Sequence, residues 1–191
     1  MALLAMLAIA VVASLLMGGK LSSLAAVHFR HSYLVLVALG IQILVFSGWW
    51  QSLAVSLVIS DVLYVTSLVI LAVAIWLNRR VAGMWALGLG LGLNTAVIMA
   101  NAGHMPARLE ALSTAGIAAS IAEFEALRVT NSSLITPGTP LWFLGDVFAI
   151  PAWLPLANVF SVGDVLIALG GAWFIIRNSQ PRDQETPQPA P

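Results

Sequence analysis

Asn101-Ala-Gly-His-Met-Pro106 closes the last long apolar run in the first half of the chain, and the composition changes after it. An amide, an imidazole, a thioether and two backbone punctuators fall within six residues. Upstream, apolar runs alternate with short polar breaks: Met1 to Met17, Ser32 to Gly48, Ser52 to Leu77 and Val81 to Ala100. One more such run, from Phe160 to Arg177, follows far downstream. The 191 residues are 60% hydrophobic and 8% charged, whereas a soluble domain carries about 25% charged residues. So few charges cannot cover a globule, so the apolar surface must face lipid.

The expectation is an all-α, polytopic protein of the cell membrane. Runs of this length suit transmembrane helices of roughly 20 residues. Five spans are predicted over residues 1–17, 32–48, 52–77, 81–100 and 160–177. They form a single membrane domain over 1–177, with a disordered, proline-rich tail over 178–191. The first run resembles a secretory h-region, but it has no basic n-region and no small-residue cleavage site of the usual pattern follows it. It reads as a retained span of about 25 Å by helical rise.

Six of the eight basic residues (Lys20, Arg30, Arg79, Arg80, Arg177 and Arg182) fall on one side of such a five-span chain. Arg108 and Arg128 fall on the other. Short basic loops stay cytoplasmic, so the N-terminus and the segment 101–158 are placed outside and the C-terminus inside. Trp49, Trp50, Trp142 and Trp153 then mark the outer boundary, and Trp76, Trp85 and Trp173 the inner one, as aromatic belts do.

The outer segment reads in three parts. Pro106, suited to the first turn of a helix, opens one surface helix, or two short ones broken at Gly116, reaching to Val129. Asn131 to Pro140 is loop. Leu141 to Leu156 is apolar but interrupted by Gly145, Pro151 and Pro155. It dips into the interface or packs on the bundle.

A polar side chain inside a span needs a partner or a function. Asp61, Asn94 and Gln42 lie at mid-depth or on its outer side, and Asn101, His104 and Asp164 lie at outer ends of spans. Gly83, Leu87, Gly90, Asn94, Val97 and Asn101 share one face of the fourth span, and glycines there admit a close neighbour. Ser56, Ser60, Tyr64 and Ser67 make a comparable stripe on the third span, bordered by Asp61. These two faces are expected to pack together, with Asp61 in reach of Asn94. Asp61 would act as interhelical glue or as a binding or proton-linked group.

Ser161-Val-Gly-Asp164 has capping-box spacing with a short acid at the third position. A cap of this kind can also line a pocket. Asp146, in Gly145-Asp-Val147, repeats the local triplet Gly163-Asp-Val165. The candidate ligand-binding set is Asp61, Asn94, Asn101, His104, Asp146, Asn158, Ser161 and Asp164. His104-Met105 is an incomplete soft-metal pair, and His28 and His31 read as interfacial, so no metal or cofactor is expected. The chain has no cysteine, which excludes disulfides and thiol chemistry. Its zero net charge argues against nucleic acid. Gly88-Leu-Gly-Leu-Gly92, inside a span, reads as packing, and no complete catalytic constellation is present.

At Asn101-Ala-Gly-His-Met-Pro106 and at Asn158-Val-Phe-Ser-Val-Gly-Asp164 the chain resembles a bacterial family of small multi-pass membrane proteins of unknown function. The resemblance rests on an N-x-G-x-M-P motif after the fourth span and an N-x-F-S-x-G-D motif opening the last. Gly18-Gly-Lys-Leu-Ser22 also looks familial. The resemblance implies the topology and the site's location but no reaction.

The functional expectation is a non-enzymatic accessory or small-ligand-binding protein. Its surroundings are the lipid bilayer, with protein partners or a homo-oligomer left open. A transporter or channel subunit with Asp61 as its proton-linked group is the first alternative, against which stand few spans and no inverted repeat. A membrane enzyme using His104 with Asp146 or Asp164 as acid and base is the second.

Overall fold

The computed structural model of the chain describes residues 2–53, 55–127 and 131–180. Among them the apolar runs form helices: α1 (Ala2–Leu16), α3 (Tyr33–Val45), α5 (Leu57–Leu77), α6 (Met84–Ala100) and α9 (Val162–Ser179). Shorter helices lie between them: α2 (Leu21–Ala25), α4 (Gly48–Ser52), α7 (Leu109–Thr114) and α8 (Ile121–Ala126). Among the described residues α5 is long and apolar enough to cross a membrane, while the apolar parts of α1, α3 and α6 are shorter.

Five full-length spans are therefore not what helix length supports. The 13 residues of α3 rise only about 20 Å. The cause is local. Ser47 accepts a hydrogen bond from the backbone N–H of Trp50 at 3.1 Å and so starts α4, which ends the predicted 32–48 run early. Gly83, with φ +85°, delays α6 from the predicted residue 81 to Met84.

The five longer helices pack side by side in the order α3, α5, α6, α9, α1. Between α5 and α6 the contact is apolar: Leu68, Leu91 and Ile98 are buried and packed on by Tyr64, Leu71 and Ile75. Between α6 and α9 it is made by glycines. A Cβ at Gly90 would strike the carbonyl of Gly163, and one at Gly83 the carbonyl of Gly170. A Cβ on Gly170 would come within 2.6 Å of the Leu87 nitrogen. The glycine stripe of α6 therefore faces the last helix, not α5 as its sequence neighbourhood suggests. Gly163, Ile167, Gly170 and Phe174 repeat its spacing on α9, and two small-residue faces at the same pitch let backbones meet. The stripe on α5 turns the other way. Ser67 accepts from Gln42 of α3 at 3.0 Å, Ser60 accepts from the indole of Trp50 at 2.9 Å, and Tyr64 meets Phe46 edge-on at 5.1 Å.

One end of the bundle is tied by backbone and small polar groups. Asn78 accepts from the N–H of Arg30 at 2.7 Å and donates to the Arg30 carbonyl at 2.9 Å. Ser14 and Ser179 bond through their hydroxyls, and the Lys20 N–H donates to the Ser179 carbonyl at 2.7 Å. Here the tail expectation needs correcting. Asn178 and Ser179 are helical, and Ser179 is fully buried. The remainder of the predicted tail from residue 181, with Arg182, lies outside the described residues, as does Arg128.

The other end carries residues 101–160, and it is not purely helical. Strand β1 (Met105–Ala107) pairs in parallel with β2 (Ser132–Leu134), and β3 (Phe148–Ile150) pairs antiparallel with β4 (Asn158–Phe160). Pro106 thus lies in a strand rather than opening a helix. Its missing N–H costs little there, because β2 bonds to Met105 and Ala107 while Pro106 offers its carbonyl to Asp146 at 2.8 Å. Proline in a strand must sit where no ladder donor is needed. The surface helix does divide at Gly116 (φ +70°) into α7 and α8. The stretch 141–156 packs on α6 and α7, through a 3-10 turn at Trp142–Leu144 and through β3.

Candidate functional site

The site lies at the end of the bundle that carries 101–160, and it has two parts. The first joins α6 to α9. Ser161 caps α9: its hydroxyl accepts from the Asp164 N–H at 3.0 Å, and the Asp164 carboxylate accepts from the Ser161 N–H at 2.9 Å. The predicted capping box is present. The Asn94 amide of α6 completes the ring, donating to Asp164 at 2.8 Å and accepting from the Ser161 hydroxyl at 3.0 Å. Gly163 makes this possible, since a Cβ there would overlap the Asn94 side chain. Asn94 is therefore committed to Asp164 and Ser161, not to Asp61.

Each member of this ring satisfies another, so the ring reads as structure. Asp164→Ala is expected to cost about 1–2 kcal/mol, the usual range for a lost cap plus an orphaned amide. Asp164→Asn, whose oxygen can still accept, should cost less. Melting of the two purified variants in detergent tests this, and equal losses would mean that the carboxylate's acceptance contributes nothing.

The second part lies on the opposite side of α6. After Asn101 the chain reverses through Ala102 and Gly103, both left-handed at φ +53° and +89°, and the Gly103 N–H donates to the Ile98 carbonyl at 2.9 Å. This is the usual way in which a helix C-terminus satisfies its free carbonyls, and glycine suits the second position because it has no Cβ to clash. The absent side chain has a further use. A Cβ on Gly103 would sit 2.8 Å from the Asp61 Cβ and 2.9 Å from its carboxyl carbon. The turn and Asp61 are thus in direct contact. Asn101 anchors the turn, donating to the Val97 carbonyl at 2.7 Å and to the Pro140 carbonyl at 3.0 Å.

Beside Asp61 opens a cleft of about 270 Å³, lined by Phe46, Trp50, Gln51, Ser60, Tyr64 and Gly103 among others. Among the described residues no hydrogen-bond or ion-pair partner is found for the Asp61 carboxyl. A second, more open groove of about 420 Å³ shares Asp61 and Gly103 and continues over Val58, Val62, Val65 and Met99. On the cap itself, Arg108 lies over the Trp142 ring at 5.2 Å. It borders a groove of about 490 Å³ with Glu110 and Thr136, which holds both signs of charge.

The remaining predicted residues separate. His104 bonds through Nδ1 to the Ala102 carbonyl at 3.0 Å, and among the described residues no hydrogen bond joins it to Asp146 or Asp164. Asn158 is a strand residue opposite Ile150. Asp146 is held by its backbone between Pro106 and Arg108. Burial, and after it the nearby Asp164 carboxylate, push its carboxyl up to about 7. Among the described residues no three His, Asp or Glu gather as metal ligands would. The cleft residues Phe46 and Trp50 were legible only as apolar or interfacial positions. Ser60 and Tyr64 showed as a stripe, but its partner did not.

Comparison with known families matches residues 26–176 to DUF5317, a family of unknown function. No curated protein and no solved structure matches the chain.

Proposed function

Starting from the fact that the chain belongs to the DUF5317 family of unknown function, we propose that it is a five-span protein of the cell membrane that binds a small ligand, without transforming it, in an outward-facing cleft beside Asp61. The observation that carries the reading is that cleft: a carboxyl with no described partner, set against a turn and facing aromatic walls. Pockets of this composition, mostly apolar with a few placed polar groups, are the usual form of ligand sites.

Membrane embedding is supported by what the bundle exposes. Only 17% of the apolar window of α5 is buried, whereas the core helix of a soluble protein would be mostly covered. Leu36, Leu57 and Val58 are each about 70% exposed, among many large apolar side chains the bundle leaves uncovered, and apolar surface on this scale needs a cover. The short α3 and α6 fit a span through their flanking polar loops and α4, or through local thinning of the bilayer. The basic loops at the Lys20, Arg79 and Arg80 end support a cytoplasmic assignment for that end.

Because the chain has no cysteine, single introduced thiols report cleanly. In intact cells a membrane-impermeant maleimide is expected to label Gln51→Cys and Thr136→Cys, and to reach Arg79→Cys only after permeabilisation. Labelling of Arg79→Cys in intact cells would refute the orientation. A Gln51→Cys protein that stays unreactive from outside would refute the outward cleft.

A further inference from the structure

Resting on that reading of the cleft, we infer that its ligand is an organic cation: an ammonium group held by the Asp61 carboxylate and the faces of Phe46, Trp50 and Tyr64.

The sign of the charge follows from the lining. Among the described residues the cleft contains no lysine, arginine or histidine, so an anion would meet the Asp61 carboxylate without a positive partner. Trp50 is the one described lining residue with an indole N–H, and that donor is already bonded to Ser60. What remains is a carboxylate and three electron-rich rings in the lining, two of which, Phe46 and Tyr64, meet edge-to-face and leave their other faces for a ligand. An ammonium group is attracted to ring faces and strengthens that attraction when it leaves water. A neutral ligand would instead bury Asp61 without compensation, which is costly.

Size narrows the class. About 270 Å³ is below the usual range of drug-sized pockets, roughly 300–1,000 Å³, and suits a head group such as ethanolamine or choline. The Ser60 hydroxyl, which lines the same cleft, takes the adjoining hydroxyl or ester oxygen. The second groove matters here. It begins at the same Asp61–Gly103 edge and runs over Val58, Val62, Val65 and Met99, as an acyl chain would after its head group entered the cleft. The ammonium therefore arrives either as a free small amine or on a phospholipid, and the geometry accommodates both.

The test uses the full chain with Gln51→Cys, purified in detergent, and reads the rate of maleimide labelling. Choline is expected to slow labelling roughly tenfold more than its neutral isostere 3,3-dimethylbutanol, the scale of a desolvated cation–π contact. Adding Asp61→Asn, or separately Trp50→Leu, should remove that difference while leaving the protein monodisperse. In lipid nanodiscs, slower labelling in phosphatidylethanolamine than in phosphatidylglycerol assigns the ammonium to a lipid. Equal rates, with choline still protecting, assign it to a free amine. Equal protection by dimethylbutanol, or protection that survives Asp61→Asn, overturns the inference while the reachable cleft keeps the binding reading. A thiol that never reacts overturns both.

Discussion

Gly90→Ala is expected to lower the melting temperature of the purified protein, and Gly92→Ala, two residues along the same helix, to leave it unchanged or raise it. A Cβ at Gly90 would run into the carbonyl of Gly163 and come within 2.9 Å of the Ile167 nitrogen. Both are backbone atoms, so no side chain can swing aside and the two helices must separate. Overpacking typically costs about 1–3 kcal/mol, or roughly 2–12 °C for a chain of this length. Separation would also pull Asn94 from Asp164 and Ser161. Nothing lies within 4 Å of a Cβ on Gly92, so alanine there only gains helix propensity, about 0.5–1 kcal/mol. The pair controls for the generic effect of alanine in a membrane helix. Equal shifts in the two variants would mean that α6 and α9 do not cross at Gly90.

The same crossing shows how much was legible before the structure. The stripe Gly83, Leu87, Gly90, Asn94 is visible in the chain, and it does form a tight interface. Its partner is not visible in that stripe, because glycine spacing reports how closely a helix can approach, not which one does. Proximity in sequence favoured α5, and that placed Asp61 beside Asn94. The complementary stripe of Gly163, Ile167, Gly170 and Phe174 has the same three-and-four spacing, and pairing the two by pitch would have found the α6–α9 contact. The capping box at Ser161 and Asp164 was fully legible because it is local.

The small strands were not legible. Three residues such as Met105–Ala107 or Ser132–Leu134 carry no periodicity, and their pairing depends on loops closing across 27 residues. The cleft was half legible. Asp61, Ser60 and Tyr64 stood out as polar groups in an apolar run, and Gly103 as a punctuator. That Gly103 leaves room for Asp61, and that Trp50 turns inward to Ser60, depends on how α4 folds back. No spacing in the sequence encodes that.

The stability of the protein is expected to fall as pH rises from about 4 to about 7, and Asp146→Asn is expected to abolish that part of the fall. Asp146 is fixed by its backbone to Pro106 and Arg108, which holds the residue in its partly buried place. Burial is the larger cause of its raised pKa and the Asp164 carboxylate the smaller. The folded protein therefore holds this proton more tightly than the unfolded chain, whose value is the ordinary 3.8. Below about 4 both states are protonated and the contribution is complete. Between 4 and 7 only the folded state retains the proton, so stability declines, and above 7 both are ionised and the decline ends. At about 1.4 kcal/mol per tenfold in proton affinity, the ceiling is about 4 kcal/mol. A partly solvated site realises only a fraction of it. Other carboxylates titrate in both proteins, so the difference between wild type and Asp146→Asn isolates this one. The two melting temperatures should converge near pH 4 and diverge toward pH 8, with the variant the more stable. A difference that stays constant across that range would show that Asp146 is as well solvated folded as unfolded. Asp164→Asn in the wild-type background should shift the decline to lower pH, since it removes the negative charge that assists burial.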